Sequence, residues 1–359
     1  MDPLERITVE LGGSSFSGWS DVSISLGVDR AVRTAELTIS DFSGARPFLP
    51  GDECTLSAGG DVLITGYVRD VEPSYDSNQH QVRLTIVSRT VDATEASINH
   101  LTGFTKDKDL IEIAREFDTA GIGIVADESF PKEPRSFVFT GSTLFHHIER
   151  LARAYGALIY DTPEGKLRIA KKPRGRHSGA LKEGGNIISA TGMLTERGRH
   201  SPVIVRGQSS RGTGPGALRS EGRAIDRNLR RERPLVLILE SQATSEKLIE
   251  RAKRQVRRAA GVSTRANVVV SGWRDAGGTI FEPHYLIRLA SPRIYCDQDM
   301  AIQSVTLTQS IAAGGAGTRA ILDLVDPSAL NGEPGGGQGS GGEGVDWSVD
   351  PETTIGATK

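Results

Sequence analysis

Apolar and polar residues alternate along the first quarter of the chain. Ile7-Thr8-Val9-Glu10-Leu11, Val22-Ser23-Ile24-Ser25-Leu26 and Leu37-Thr38-Ile39 each set their apolar side chains on one face at a period of two, the mark of half-buried strands. Cys54-Thr55-Leu56, Val62 to Val68 and Val82 to Val87 continue the series, with turn signals at Gly12-Gly13, Pro50-Gly51-Asp52 and Gly59-Gly60-Asp61. Short strands with tight corners predict a β-sandwich or barrel over residues 1–92.

The period then lengthens. Leu110, Ile113, Ala114 and Phe117 recur at helical spacing, as do Leu144, Ile148, Leu151, Ala152 and Tyr155. The second of these helices should open at Ser142 or Thr143 as N-cap and close at Gly156. A hairpin follows, from Ala157 to Tyr160 and from Leu167 to Ile169 around a turn at Pro163-Glu164-Gly165, so residues 93–182 read as an α+β module. Strands return at Ile187-Ile188, Val203 to Val205, Val268 to Val270, Leu286 to Leu289, Ile302 to Leu307 and Arg319 to Val325, which places a second β-domain over 183–207 and 263–327.

Between its two parts lies an Arg-rich loop plus helix, 208–262. The helix is predicted at about 244–260, with Glu246 in its first turn, Arg254, Arg257 and Arg258 in its last, and Gly261 as its stop. Successive strand centres stand 15 residues apart from Val22 to Leu37 and again from Ile188 to Val203. That spacing is either the trace of an internal repeat or a coincidence. Residues 328–359 form a tail, in which Asn331 to Gly344 holds eight glycines in fourteen positions, a flexible linker by composition. The final segment is acidic and carries Val345, Trp347, Val349 and Ile355.

Composition narrows the function classes. Lys and Arg number 43 against 45 Asp and Glu, so the chain lacks the basic surplus of a protein that coats nucleic acid. The longest apolar run, Leu235 to Leu239, is too short to span a bilayer, and the first residues show no secretory signal, so no membrane insertion is expected. Cys54 and Cys296 read as buried free thiols of a chain folded in a cytoplasm, with a single disulfide as the alternative. His146-His147-Ile148-Glu149 lacks the second histidine, four residues after His146, that a helical zinc site needs. There is no phosphate-binding Gly-x-x-x-x-Gly-Lys-Ser/Thr and no Gly-x-Ser-x-Gly elbow. No catalytic residue, metal ligand or cofactor is assigned, and the chain is read as a non-enzyme.

Residues 219–258 carry twelve Lys or Arg and six acids. They read as a solvated face, as a dock for an acidic protein surface, or as a phosphate contact; the last is disfavoured because no aromatic side chains interleave to stack bases. Arg230, Arg231 and Arg233, with Trp347 in the tail, are the candidate partner-binding residues.

Taken in order along the chain, a set of short segments resembles the baseplate hub proteins of Mu-type contractile phage tails. Gly18-Trp19, Asp29-Arg30-Ala31, Gly51-Asp52, Thr65-Gly66-Tyr67-Val68 and Ser88-Arg89-Thr90 come first. Ile148-Glu149-Arg150-Leu151-Ala152, Gly184-Gly185-Asn186-Ile187 and Gly207-Gln208 follow. Arg233-Pro234-Leu235-Val236, Gly272-Trp273-Arg274 and Leu322-Asp323-Leu324-Val325-Asp326-Pro327 complete the series, which spans residue 5 to about 327.

The resemblance implies a mainly β subunit with an α+β insert and two similar β-barrels. It also implies a homotrimer forming a pseudo-sixfold ring that adapts a hexameric tail tube, or its initiator, to a trimeric central spike. DNA would pass through the bore only in transit, other baseplate proteins would be neighbours, and the chain would sit in the virion after assembly in the host cytoplasm. The Gly-rich linker and tail extend past the family's usual end. The rival reading is a tail-associated cell-wall hydrolase with its cleft in the middle module. A carbohydrate-binding module is disfavoured by the scarcity of aromatic platforms.

Overall fold

The computed structural model describes residues 3–40, 48–77, 80–207, 220–239, 245–311 and 317–331. Two compact units emerge: Met1–Ala190 with Asn267–Ile287 and Ile302–Asp323, and Thr191–Ala266 with Arg288–Ala301 and Leu324–Lys359. Among the described residues the chain is mainly β with few helices.

The alternating N-terminal stretch forms β1 (Ile7–Leu11), β2 (Ser14–Phe16), β3 (Asp21–Gly27), β4 (Thr34–Ser40), β5 (Glu53–Ala58), β6 (Asp61–Tyr75) and β7 (His80–Ser88). Alternation translates directly into burial: Val22, Ile24 and Leu26 of β3 face the core, as do Cys54, Leu56 and Ala58 of β5. All these pairs are antiparallel, in the order β3-β4-β7-β6-β5-β1-β2. β6 runs seven residues past its predicted end at Val68. Beyond a bulge between Val68 and Asp70, Arg-Asp-Val-Glu-Pro-Ser-Tyr pairs with β7 but buries little, so hydrophobic periodicity could not reveal it.

The middle module holds α1 (Val91–Glu95), β8 (Phe104–Lys108), α2 (Leu110–Phe117), β9 (Ile124–Ala126), β10 (Glu133–Phe137), α3 (Leu144–Tyr155), β11 (Leu158–Asp161) and β12 (Leu167–Ala170). The caps chosen by sequence are in place. Thr143 accepts from the His146 N–H, and Gly156 ends α3 in the left-handed conformation at φ 70°. Asp109 and Glu112 form a reciprocal capping box on α2. Leu110, Ile113, Phe117, Leu144, Ile148 and Ile169 share one core.

Beyond it come β13 (Gly175–Lys182), β14 (Ile187–Leu194), β15 (Val203–Gly207), β16 (Ser220–Ala224), β17 (Leu235–Leu239), α4 (Ser245–Val262), β18 (Thr264–Ser271), β19 (Tyr285–Ser291), β20 (Cys296–Ser310), β21 (Gly317–Val325) and α5 (Ser328–Asn331). One pairing order occurs twice. β1 pairs with β5, β5 with β6, β6 with β7, β7 with β4 and β4 with β3; likewise β13 pairs with β19, β19 with β20, β20 with β21, β21 with β18 and β18 with β14.

The repeat is therefore present in the topology, but not as the 15-residue spacing had it. The counterpart of β4 is β18, not the Val203 strand. β15 instead joins a separate sheet, antiparallel to β16 and parallel to β17.

In that sheet Val203, Val205 and Ala224 pack under Leu248, Ala252 and Val256 of α4. Two corrections fall here. Part of the stretch read as loop is strand: β17 was hidden because both its faces are apolar, and β16 (Ser-Glu-Gly-Arg-Ala) shows little apolar pattern. α4 also passes through Gly261 rather than stopping there, which leaves Arg254, Arg257 and Arg258 short of the last turn. Gly261 is a close-approach residue: a Cβ there would lie 2.3 Å from the Ala329 nitrogen and 2.5 Å from the Ser328 hydroxyl oxygen. The first four residues of the predicted tail form α5 rather than linker, and residues 332–359 lie outside the described residues.

Candidate functional surfaces

Two histidines and both cysteines are committed to packing. His147 is buried, shares a 3.1 Å hydrogen bond with the Ser136 hydroxyl and stands edge-on to Phe117. Burial, with Arg150 and His146 nearby, lowers its pKa to about 4. His177 spends both ring nitrogens, Nδ1 2.9 Å from an Asp275 carboxylate oxygen and Nε2 accepting the Glu282 backbone N–H at 3.2 Å. Cys54 and Cys296 are free and buried, and burial raises their thiols to about 12 and about 11, so both stay protonated at neutral pH. Among the described residues no three His, Cys, Asp or Glu side chains are grouped to hold a metal ion.

A buried charge cluster ties the first unit together. Arg33, fully buried at the entry to β4, bonds Asp161 at 2.9 Å through Nε and Glu282 at 2.9 and 3.1 Å through its two terminal nitrogens. Its own backbone N–H also donates to Asp161, at 2.8 Å. Arg174 adds a second cation on Glu282 at 3.0 Å. Burial raises the Asp161 pKa to about 6 despite Arg33. The Glu282 carboxyl, which burial alone would raise, is held below its ordinary value by Arg33 and Arg174.

Close by in sequence to Glu282, the Gly272-Trp273-Arg274 segment does similar work. The fully buried Trp273 donates its indole N–H to the Thr308 and Arg319 carbonyls, and Arg274 bonds Asp61 and the Leu4 and Ala58 carbonyls. These residues join segments far apart in the chain.

The outer face of the sheet is polar and net acidic. Register sets Ser310, Asp21, Thr38, Arg83 and Glu72 in one cross-strand row and Thr308, Ser23, Glu36, Thr85 and Asp70 in the next. A shallow groove of about 270 Å³ runs over β20, β3, β4 and β7. These two rows carry four carboxylates against one guanidinium.

Of the partner-binding candidates, Arg230 and Arg231 are exposed and Arg233 is half-buried, all on the approach to β17. Arg231 is bonded to the Glu196 carboxylate, and Arg233 donates to the Glu196 carbonyl at 3.2 Å. Trp347 lies outside the described residues. Sequence reasoning passed over two apolar exposures: Val236 and Ile238 on β17, and Ile188, Met193 and Leu194 on β14. The strand-forming apolar run at Leu235 to Leu239 was the available signal for the first.

The comparisons agree with this architecture. Residues 6–86 match the domain family "Mu phage baseplate assembly protein GpP-like, N-terminal", and residues 244–333 match "Mu phage baseplate assembly protein GpP, fourth domain". The baseplate hub protein gp44 of Escherichia phage Mu is 24% identical over 320 residues, 84% of this chain and 83% of that protein. Among solved structures, the 43 kDa tail protein of prophage MuSo2 from Shewanella oneidensis superposes with a TM-score of 0.81 at 25% identity, over 91% of this chain and 99% of that one. The tail protein from Neisseria meningitidis MC58 shares the fold, with a TM-score of 0.76 at 17% identity over 91% and 98% of the two chains. With domains of the Mu baseplate GpP families at both ends and a hub relative aligned over most of its length, the chain is similar throughout to the baseplate hub and tail proteins of Mu-type phages.

Proposed function

We propose that the chain acts as a homotrimer in which two closed β-barrels per subunit build a ring of pseudo-sixfold symmetry. The ring adapts the hexameric tail tube, or its initiator, to the trimeric central spike and continues the DNA channel through its bore. The observation that carries this reading is the strand-pairing order that occurs twice in one chain. Three such chains offer six equivalent domains to a sixfold partner and a true threefold axis to the spike. The net-acidic outer sheet face supports a channel role, because DNA passing over it meets repulsion and small hydroxyls rather than anchoring cations. The task requires no catalysis, and none is assigned. Arg230, Arg231 and Arg233 are read as facing an acidic neighbour in the baseplate, and Trp347 as part of a tethered docking segment.

The test is native mass spectrometry of the purified chain mixed with the spike and tube proteins of the same particle. The expected result is one complex with three copies of this chain and three of the spike. Failure to bind either partner at micromolar concentrations would overturn the reading.

A further inference from the structure

We infer that residues 345–350 dock as an added strand along the open edge of this chain's own β17, covering it until a baseplate neighbour takes the same surface. The inference concerns one compact unit alone and holds whether or not the chain forms trimers.

β17 is the last strand of a three-stranded sheet, in the order β16-β15-β17. Its residues Leu235 to Leu239 pair parallel with Val203 to Gly207 of β15, and no strand stands on the other side among the described residues. The run Leu-Val-Leu-Ile-Leu has neither charge nor proline. Leu235, Leu237 and Leu239 lean on the core beneath α4 yet stay only partly buried. On the opposite face Val236 is 48% exposed and Ile238 81%. Soluble proteins guard such an edge with charge, proline or a cover, because unpaired backbone groups beside an apolar face template further pairing. β17 carries no guard of its own, so a cover is called for.

The chain holds a segment suited to that role. Val345-Asp346-Trp347-Ser348-Val349-Asp350 alternates apolar and polar residues at a period of two, the strand signature, and Pro351 sets its end. Added to the sheet edge, it would offer Val345, Trp347 and Val349 to the exposed Val236 and Ile238. Charge fixes the direction. Between Asn331 and Lys359 there is no Lys or Arg, whereas Arg230, Arg231 and Arg233 lie on the approach to Leu235. Arg231 and Arg233 share one carboxylate, that of Glu196. An antiparallel strand that enters at Leu239 brings Asp350 and Glu352 to these arginines, and a parallel one carries them away. In the register that sets Asp350 opposite Arg233, Trp347 covers Val236 and Val345 covers Ile238.

Reach is sufficient. α5 ends at Asn331 in the same compact unit as β17, with Ser328 and Ala329 against Gly261 near the C-terminal end of α4. At a rise of 1.5 Å per residue the 18 residues of α4 measure about 27 Å. Fully extended, the stretch from Asn331 to Val345 spans about 46–50 Å, enough to run the length of the helix and cross to the sheet edge. A tether this short also holds its segment at a high local concentration, an advantage that a free partner lacks.

Two measurements on the full-length chain test the docking. Trp19 and Trp273 are buried, so iodide quenching of tryptophan fluorescence reads chiefly Trp347, and Trp347→Phe supplies the baseline. Trp347 should be shielded in the wild type. Ile238→Lys, at an exposed site that leaves circular dichroism native, should abolish that shielding. Ile238→Cys with Val345→Cys should oxidise to a disulfide within one chain, seen as a faster monomer band on a non-reducing gel, while Ile238→Cys with Asp350→Cys should not. Equal quenching of Trp347 in the wild type and in Ile238→Lys, with no cross-link, would overturn the inference and leave the edge to another protein. A cross-link that joins two chains at every dilution would overturn it in favour of a neighbouring copy's tail.

Discussion

Arg33 ties together distant stretches of the first unit. It is separated from Asp161 by 128 positions and from Glu282 by 249; Arg33 and Asp161 are buried and Glu282 is partly so. Removing the cation leaves the buried Asp161 carboxylate without its partner and Glu282 with Arg174 alone, which costs far more than losing an exposed pair. Arg33→Ala should therefore destabilise the fold by about 3–5 kcal/mol at neutral pH in denaturant titration. The deficit should narrow toward pH 4. Without Arg33 the Asp161 carboxyl rises further above its unfolded value, so folding favours its protonated form and that benefit is lost as pH rises. Asp161 already behaves this way in the wild type: raised from 3.8 to about 6, its contribution is present below pH 3.8 and lost as pH climbs through 6. A variant deficit that does not change with pH would contradict the cluster's role. None of this was legible in the sequence, because a buried ion pair between distant residues leaves no local pattern.

At the scale of elements, the legible parts were those in which one face is buried and the other wet. β3, β4, β7, α2 and α3 announce themselves by period, and Thr143 and Gly156 by capping chemistry. β16, β17 and the outer half of β6 did not: β16 buries only the small Gly222 and Ala224, β17 is apolar on both faces, and the outer half of β6 is exposed on most of its length, so none shows an alternation of large apolar residues. Gly261 was misread because a glycine near a helix end signals a stop as readily as a close contact. Its actual role gives a clear prediction. Gly261→Ala should lower the melting temperature even though alanine favours a helix interior by about 1 kcal/mol, because the new methyl meets the Ala329 backbone and the Ser328 hydroxyl. A raised melting temperature would mean that α5 moves aside without cost.

At the scale of the whole molecule, the chain is a tandem repeat of one six-strand pairing order, with the middle module between the sets and the β15–β17 sheet with α4 inserted in the second. That the repeat exists was faintly visible as strand spacing; which strands correspond was not, because the insertion after β14 displaces the partner strand by some sixty residues. The candidate surfaces, an acidic sheet face and the open edge of β17, were invisible to motif search, since they carry no special residue types and arise from register and pairing. The first gains meaning only if copies of the chain assemble.

The most direct measurement is the mass of the purified full-length chain by sedimentation equilibrium over a hundredfold range of concentration. One chain weighs 38.4 kDa, and the account predicts a species of about 115 kDa, three chains, that dissociates at most on dilution. A mass of 38.4 kDa at every concentration, unchanged when the spike protein is added, would contradict it.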